Sequence, residues 1–142
     1  MRETRYKPAT NSPFGLHDCH INGIEMTNEN LVLTIKDSFY SVNGTEVKGN
    51  IIIEDVDVDF CVVMIQGKVE KMGGFRGEKL TLSEFTEKYK EFSFEIIDEY
   101  YGYQKLQFTG WLWMPDSGPK DMTLSIGYFK GDIVYFTEDV TE

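Results

Sequence analysis

The stretch Ile51-Ile52-Ile53-Glu54-Asp55-Val56-Asp57-Val58-Asp59-Phe60-Cys61-Val62-Val63-Met64-Ile65 decides the fold class. It is free of Pro and Gly, dense in β-branched residues, and alternates at a period of two, the pattern of an extended strand with one dry side. The even positions Val56, Val58, Phe60, Val62 and Met64 are apolar throughout and are expected to face a core. The odd positions are apolar at both ends and carry Asp55, Asp57 and Asp59 in the middle. The segment predicts one long strand, or two pieces split by a bulge. On such a strand the three aspartates project from one face, about 6.6 Å apart. Neighbours at that spacing repel by about 0.6 kcal/mol in water and about 2.5 kcal/mol at an effective dielectric of 20. Solvation, a cross-strand cation or a bound ion must answer that repulsion, which makes Asp55, Asp57 and Asp59 candidate polar-site residues. A calcium loop is not indicated, because the spacing lies in an apolar strand rather than a Gly-containing turn.

Short apolar segments separated by turn signals flank this stretch on both sides. Upstream, residues 1–13 read as an irregular lead-in, because Pro8, Asn11, Ser12 and Pro13 oppose regular structure. Residues 17–26 read as a first strand, Thr27-Asn28-Glu29-Asn30 as a turn, and residues 31–35 as a second strand, continued by residues 38–42 past a kink at Asp37. Asn43-Gly44 signals a hairpin of type I′, whose two central residues both need positive φ. Downstream, Gly73-Gly74-Phe75-Arg76-Gly77 reads as a loop leading into a helix over about residues 82–90. There Thr81 and Glu84 form a capping box, and Leu82, Phe85 and Tyr89 share one face. Residues 92–96 and 106–114 form a meander. Matching their apolar faces pairs Ile96 with Phe108 and Phe92 with Leu112, which needs an odd-numbered loop around Gly102. Pro115 to Pro119 read as a turn, and residues 124–129 and 133–136 as a closing hairpin around Lys130-Gly131-Asp132. The expectation is a single mainly β domain over residues 14–142, an antiparallel sandwich or open barrel of about seven to nine strands with one short α-helix.

The chain has 142 residues, and its 24 acidic against 14 basic side chains give a net charge of −10. Such a surface repels phosphate backbones, and Arg2, Arg5 and Lys7 form the only basic cluster, so nucleic acid is excluded as a partner. Solubility or attraction to a basic partner accounts for the charge. The first twenty residues hold charges and prolines but no apolar signal region, and no run approaches the roughly 20 residues that span a bilayer. Cys19 and Cys61 are too few for a disulfide framework and read as reduced, buried thiols, which with the missing export signal points to the cytoplasm.

His17-Asp18-Cys19-His20 gathers two imidazoles, a thiol and a carboxylate into four residues. On a strand, His17 and His20 point to opposite faces, so one ion cannot take both, and no further His exists to complete a zinc site. His17 and Asp18 are retained as polar candidates; no metal site and no cofactor is expected. A Cys19 nucleophile beside either His has poor geometry on a strand. GxSxG, P-loop, GxGxxG, HExxH and CxxC motifs are all absent, and no enzyme is expected. Tyr100, Tyr101 and Tyr103 flank Gly102 at a hairpin tip, and Trp111 and Trp113 share a strand face opposite Leu112. These five aromatics either fold back onto the sheet or form a docking surface.

The stretch Phe14-Gly15-Leu16-His17-Asp18-Cys19-His20-Ile21 resembles the opening of a group of small uncharacterised bacterial proteins. It is also similar to the H-D-x-x-I first strand of some immunity-protein families of polymorphic toxin systems. The resemblance covers about eight residues. It implies an interaction role in which an acidic surface blocks a basic toxin, and it carries over no catalytic residue.

The expected function is therefore a non-enzymatic protein-binding module, immunity-like in its preference for a basic partner. The alternative is a small-molecule or metal-binding domain with a pocket between sheet and helix, near His17 and Asp18 or near the three aspartates. A homodimer, by edge-strand pairing or through the tryptophan face, is compatible with both.

Overall fold

The computed structural model describes residues 1–8, 11–66, 77–115 and 117–140. In chain order the elements are β1 (Arg2–Tyr6), β2 (Phe14–Gly15), β3 (His20–Thr27), β4 (Asn30–Ile35), β5 (Phe39–Ser41), β6 (Glu46–Ile53), a 3-10 turn (Val58–Phe60), β7 (Cys61–Gln66), β8 (Gly77–Leu80), α1 (Leu82–Lys88), β9 (Ser93–Gly102), β10 (Lys105–Met114), β11 (Ser117–Gly127) and β12 (Ile133–Asp139). The strands make one open antiparallel sheet in the order β1-β12-β6-β4-β3-β9-β10-β11-β7-β8, with β5 paired to β6 and β2 to β5 beside that path. The sheet curls until its far parts meet: Tyr6 of β1 packs edge-on against Tyr101 of β9, with ring centroids 5.5 Å apart. The enclosed face is one apolar cluster, with Leu33, Ile53, Val63, Phe94, Leu112 and Leu124 fully buried.

The mainly β class and the short helix agree with the sequence reading; the twelve strands among the described residues exceed the expected seven to nine. The helix has the capping box expected at Thr81 and Glu84, and Leu82, Phe85 and Tyr89 lie buried beneath it. One and a half to two turns are unstable alone, so α1 persists through that buried face, where Phe85 meets Phe92 edge-on at 4.9 Å.

Several expectations are corrected. Residues 2–6 are not irregular: they form β1, antiparallel to β12, and the prolines only end it. The first strand begins at His20, because Asp18 takes a left-handed conformation (φ 69°) in a turn. Residues 39–41 are a separate strand, β5, rather than a continuation of β4. At Asn43-Gly44 only Gly44 has positive φ, at 87°, and its N–H donates to the Ser41 carbonyl at 2.9 Å. That is a type I turn closed by a left-handed glycine, not type I′. Of the expected glycine loop, residues 73–76 lie outside the described residues and Gly77 starts β8. Ser117 to Pro119 belong to β11 instead of a turn. β11 and β12 do not pair with each other: β11 lies between β10 and β7, and β12 between β1 and β6.

Two further corrections shape the site. The stretch 51–65 breaks after Ile53. Asp55 is left-handed (φ 55°), and the Asp57 side chain caps the 3-10 turn by accepting the Asp59 N–H at 3.0 Å. The odd positions Ile51, Ile53, Cys61, Val63 and Ile65 face the core, whereas Val58, Phe60 and Met64 are exposed. Between β9 and β10 the loop has two residues, Tyr103 and Gln104, and an extra residue on β9, Ile97, shifts the register. Phe94 therefore pairs with Leu112 side by side on the core face, while Ile96 pairs with Gly110 and Phe108 with Glu99; the expected pairs Ile96–Phe108 and Phe92–Leu112 do not form, although the bulge restores the facing parity expected of an odd loop. The bulge needs Gly110, because a Cβ there would lie 1.8 Å from the Glu95 carbonyl oxygen.

Candidate functional site

Along β10 the side chains of Leu106, Phe108 and Leu112 enter the core, and those of Lys105, Gln107, Thr109, Trp111 and Trp113 stand on the outer face. Period-two geometry makes this unavoidable once Leu112 is buried, since its two neighbours must point the other way. Trp111 is 40% and Trp113 41% exposed. Trp111 has Glu95 directly opposite on β9 and Asp121 directly opposite on β11, and Asp98 opposes Thr109 one step along. A depression of about 330 Å³ beside the Trp111 ring is lined by Gln66, Asp98, Thr109, Asp121 and Thr123. The Trp113 indole N–H donates to Glu95 Oε1 at 3.0 Å, which fixes that ring. Glu95 lies 3.9 Å from His20 Nε2, and the other His20 nitrogen contacts Asp37 Oδ2 at 2.7 Å. Among the described residues, neither Asp98 nor Asp121 has a cation partner.

The tyrosines divide. Tyr101 turns inward onto Phe108 and donates to Glu99 at 2.6 Å, and burial pushes its hydroxyl far above the usual range. Tyr100 and Tyr103 point outward, 54% and 82% exposed. Tyr100 shares the outer face with Gln107, directly across the strand pair.

The aspartates do not form a row on one strand face. Asp55 and Asp57 line a cleft of about 700 Å³ at the end of the sheet, together with Glu29, Val58, Phe60 and Tyr128. Phe60 and Tyr128 meet edge-on at 4.6 Å and are both about half exposed. Glu29, Asp55 and Tyr128 are all left-handed, so three non-glycine residues on this one lip hold an uncommon backbone conformation. The Lys105 ammonium lies 5.4 Å over the Tyr128 ring and links this cleft to the outer face of β10.

His17 and Asp18 stand together on an exposed turn. His17 Nδ1 contacts the Ile97 carbonyl at 2.7 Å, and that bond, then the Asp18 charge, raises the imidazole above its usual value. His17 and His20 have separate partners. The parity argument does not apply, because residues 17–18 are turn rather than strand. Burial pushes the Cys19 thiol up to about 12 and the Cys61 thiol up to about 11, and Cys19 donates to the Ser38 carbonyl. A protonated thiol is a poor nucleophile. Among the described residues, no three His, Cys, Asp or Glu side chains converge as a metal site, and no helix is long and apolar enough to cross a membrane.

Phe60, Tyr128, Glu95, Asp98 and Asp121 escaped the sequence reading. The first two sit at apolar positions of segments that read as core strands. The carboxylates were findable from alternation, since Asp121, Thr123 and Ser125 interleave with the buried Met122, Leu124 and Ile126. Comparison with family models, curated protein sequences and solved structures gives no match.

Proposed function

We propose that the chain is a non-enzymatic protein-binding module that docks a basic partner on the outer face of β9, β10 and β11. The observation that carries this reading is Trp111: an exposed indole with a carboxylate on each neighbouring strand and, among the described residues, no ion pair made by Asp98 or Asp121. A large ring left in water on a sheet face is a typical anchor for a partner. An arginine laid over that ring gains cation–π attraction of about 0.5–2 kcal/mol and meets the flanking carboxylates at the same time. The net charge of −10 steers such a partner toward the face from a distance. An immunity-like role, in which the occupant is a toxin, is supported by the resemblance at His17 to Ile21.

The test is affinity capture followed by titration with the recovered, purified partner by isothermal calorimetry. The reading expects a basic partner whose Kd weakens at least tenfold with Trp111→Ala and again between 50 and 500 mM salt. An acidic partner, or a Kd indifferent to both changes, overturns it. If the partner is an enzyme, inhibition of its activity on binding tests the immunity-like role.

A further inference from the structure

The cleft at the end of the sheet is walled by three segments that hold one another in place. The Glu29 carbonyl accepts the Val56 N–H at 2.8 Å, the Asn30 side-chain oxygen accepts the Asp55 N–H at 3.1 Å, and the Asp55 carbonyl accepts the Lys130 N–H at 3.0 Å. Gly131 lets the third segment lie close, since a Cβ there would come within 2.4 Å of the Glu54 Cβ. These bonds over-determine the left-handed residues Glu29, Asp55 and Tyr128, so the cavity is built into the fold. Its volume of about 700 Å³ is that of a small-molecule site. Val58, Phe60 and Tyr128 each leave about half of their apolar surface in water there. The cleft shares no lining residue with the depression beside Trp111.

We infer that this cleft binds a small organic ammonium compound with a flat apolar body, at a site independent of the docking role. Charge selects the cation. Glu29, Asp55 and Asp57 line the cleft against one lysine, Lys130, and among the described residues none of the four makes an ion pair. Lys105, outside the lining, places its ammonium over the Tyr128 ring; with it counted, three negative charges still face two positive ones. A carboxylate ligand would gain Lys130 and meet three like charges. The rings select the body. Among the described residues, no three acidic, His or Cys side chains converge as a metal site, so a bare ion does not satisfy these carboxylates together. The exposed Phe60–Tyr128 pair offers an apolar wall to a flat ligand, and Tyr128 already holds one ammonium, that of Lys105, 5.4 Å from its centroid, within cation–π reach.

The probe is 2-phenylethylammonium, and the control is 3-phenylpropionate, which has the same ring and the opposite charge; both are titrated by calorimetry. Phe60→Ala removes the apolar wall at an exposed position. Asp55→Asn removes one charge and tolerates the left-handed backbone. Glu87→Gln, on the exposed side of α1, makes the same change in net charge away from the cleft. Circular dichroism and thermal melts check that each variant folds. The expected Kd of the ammonium is about 1 mM or tighter, the strength that nine heavy atoms can supply. It should be at least tenfold tighter than that of the carboxylate, should weaken at least fivefold with Phe60→Ala and with Asp55→Asn, and should stay unchanged with Glu87→Gln. No binding of the ammonium up to 10 mM, equal or tighter binding of the carboxylate, indifference to either cleft variant, or an equal loss with Glu87→Gln overturns the site. None of these results bears on the docking face, which Trp111→Ala reads separately.

Discussion

Replacing Ile65 by alanine and, separately, Met64 by alanine tests which side of β7 is dry. Ile65 is 2% exposed and faces the core between β11 and β8, opposite Met122 and Glu78. Removing three of its carbons costs about 2.4 kcal/mol of transfer free energy at roughly 0.8 kcal/mol per carbon. The cavity left behind raises the total to about 3–4 kcal/mol. For a chain of 142 residues the unfolding entropy is near 0.3 kcal/mol per degree, so Tm should fall by about 10 °C. Met64, one residue away, is 42% exposed on the outer face, and its replacement should cost no more than about 0.5 kcal/mol, under 2 °C. Urea melts on both variants, fitted with a common m-value, read the two numbers directly. If Met64→Ala proves as costly as Ile65→Ala, the inside and outside of β7 are exchanged, and every residue assigned to the outer face moves with them.

Gly110→Ala should cost about 3 kcal/mol or more, because a Cβ cannot occupy a point 1.8 Å from the Glu95 carbonyl oxygen without parting β9 from β10; thermal melts read it. Thr81→Ala should cost about 1 kcal/mol by removing the helix cap, measured the same way. At pH 8 neither thiol should react with Ellman's reagent in the folded chain, and both should react in guanidinium, since burial pushes them up to about 12 and about 11. The same shifts set an alkaline limit. With folded values above the unfolded ones, the stabilisation from Cys19, Cys61 and Tyr135 is complete below pH 9 and is lost as pH rises toward 12, which urea midpoints between pH 8 and 11.5 will follow.

How far the sequence could be read depended on whether a segment's local chemistry outweighed its tertiary contacts. The helix was legible because Thr81, Glu84 and the spacing of Leu82, Phe85 and Tyr89 act within ten residues. The hairpin at Thr27 to Asn30 was legible for the same reason, although nothing local announced left-handed Glu29. β1 was missed because Arg2, Glu3 and Arg5 look unlike a strand until Asp139, Glu54 and Asp132 arrive from elsewhere in the chain to pair with the two arginines. In the site, the tryptophan face followed from the apolar Leu112 between two indoles. The carboxylates around it depend on strand neighbours that no local pattern specifies.

The stretch at 51–65 shows why a clean alternation can mislead. Both of its faces are apolar at the two ends, so period alone leaves the buried side undetermined there, and the aspartates in the middle tip the reading toward the even face. That inference assumes an unbroken strand. Asp55 in a left-handed conformation and Asp57 capping a 3-10 turn divert the chain for several residues, and β7 then resumes with its odd side dry, as β6 left off. The diversion lifts Val58 and Phe60 out of the core and sets Phe60 against Tyr128, in a cleft lined by three carboxylates and Lys130. A chain selected only for stability would bury those rings on a continuous strand, avoiding both the left-handed aspartate and the exposed aromatic pair. Keeping them in water at a strained turn is the pattern expected where backbone strain serves binding.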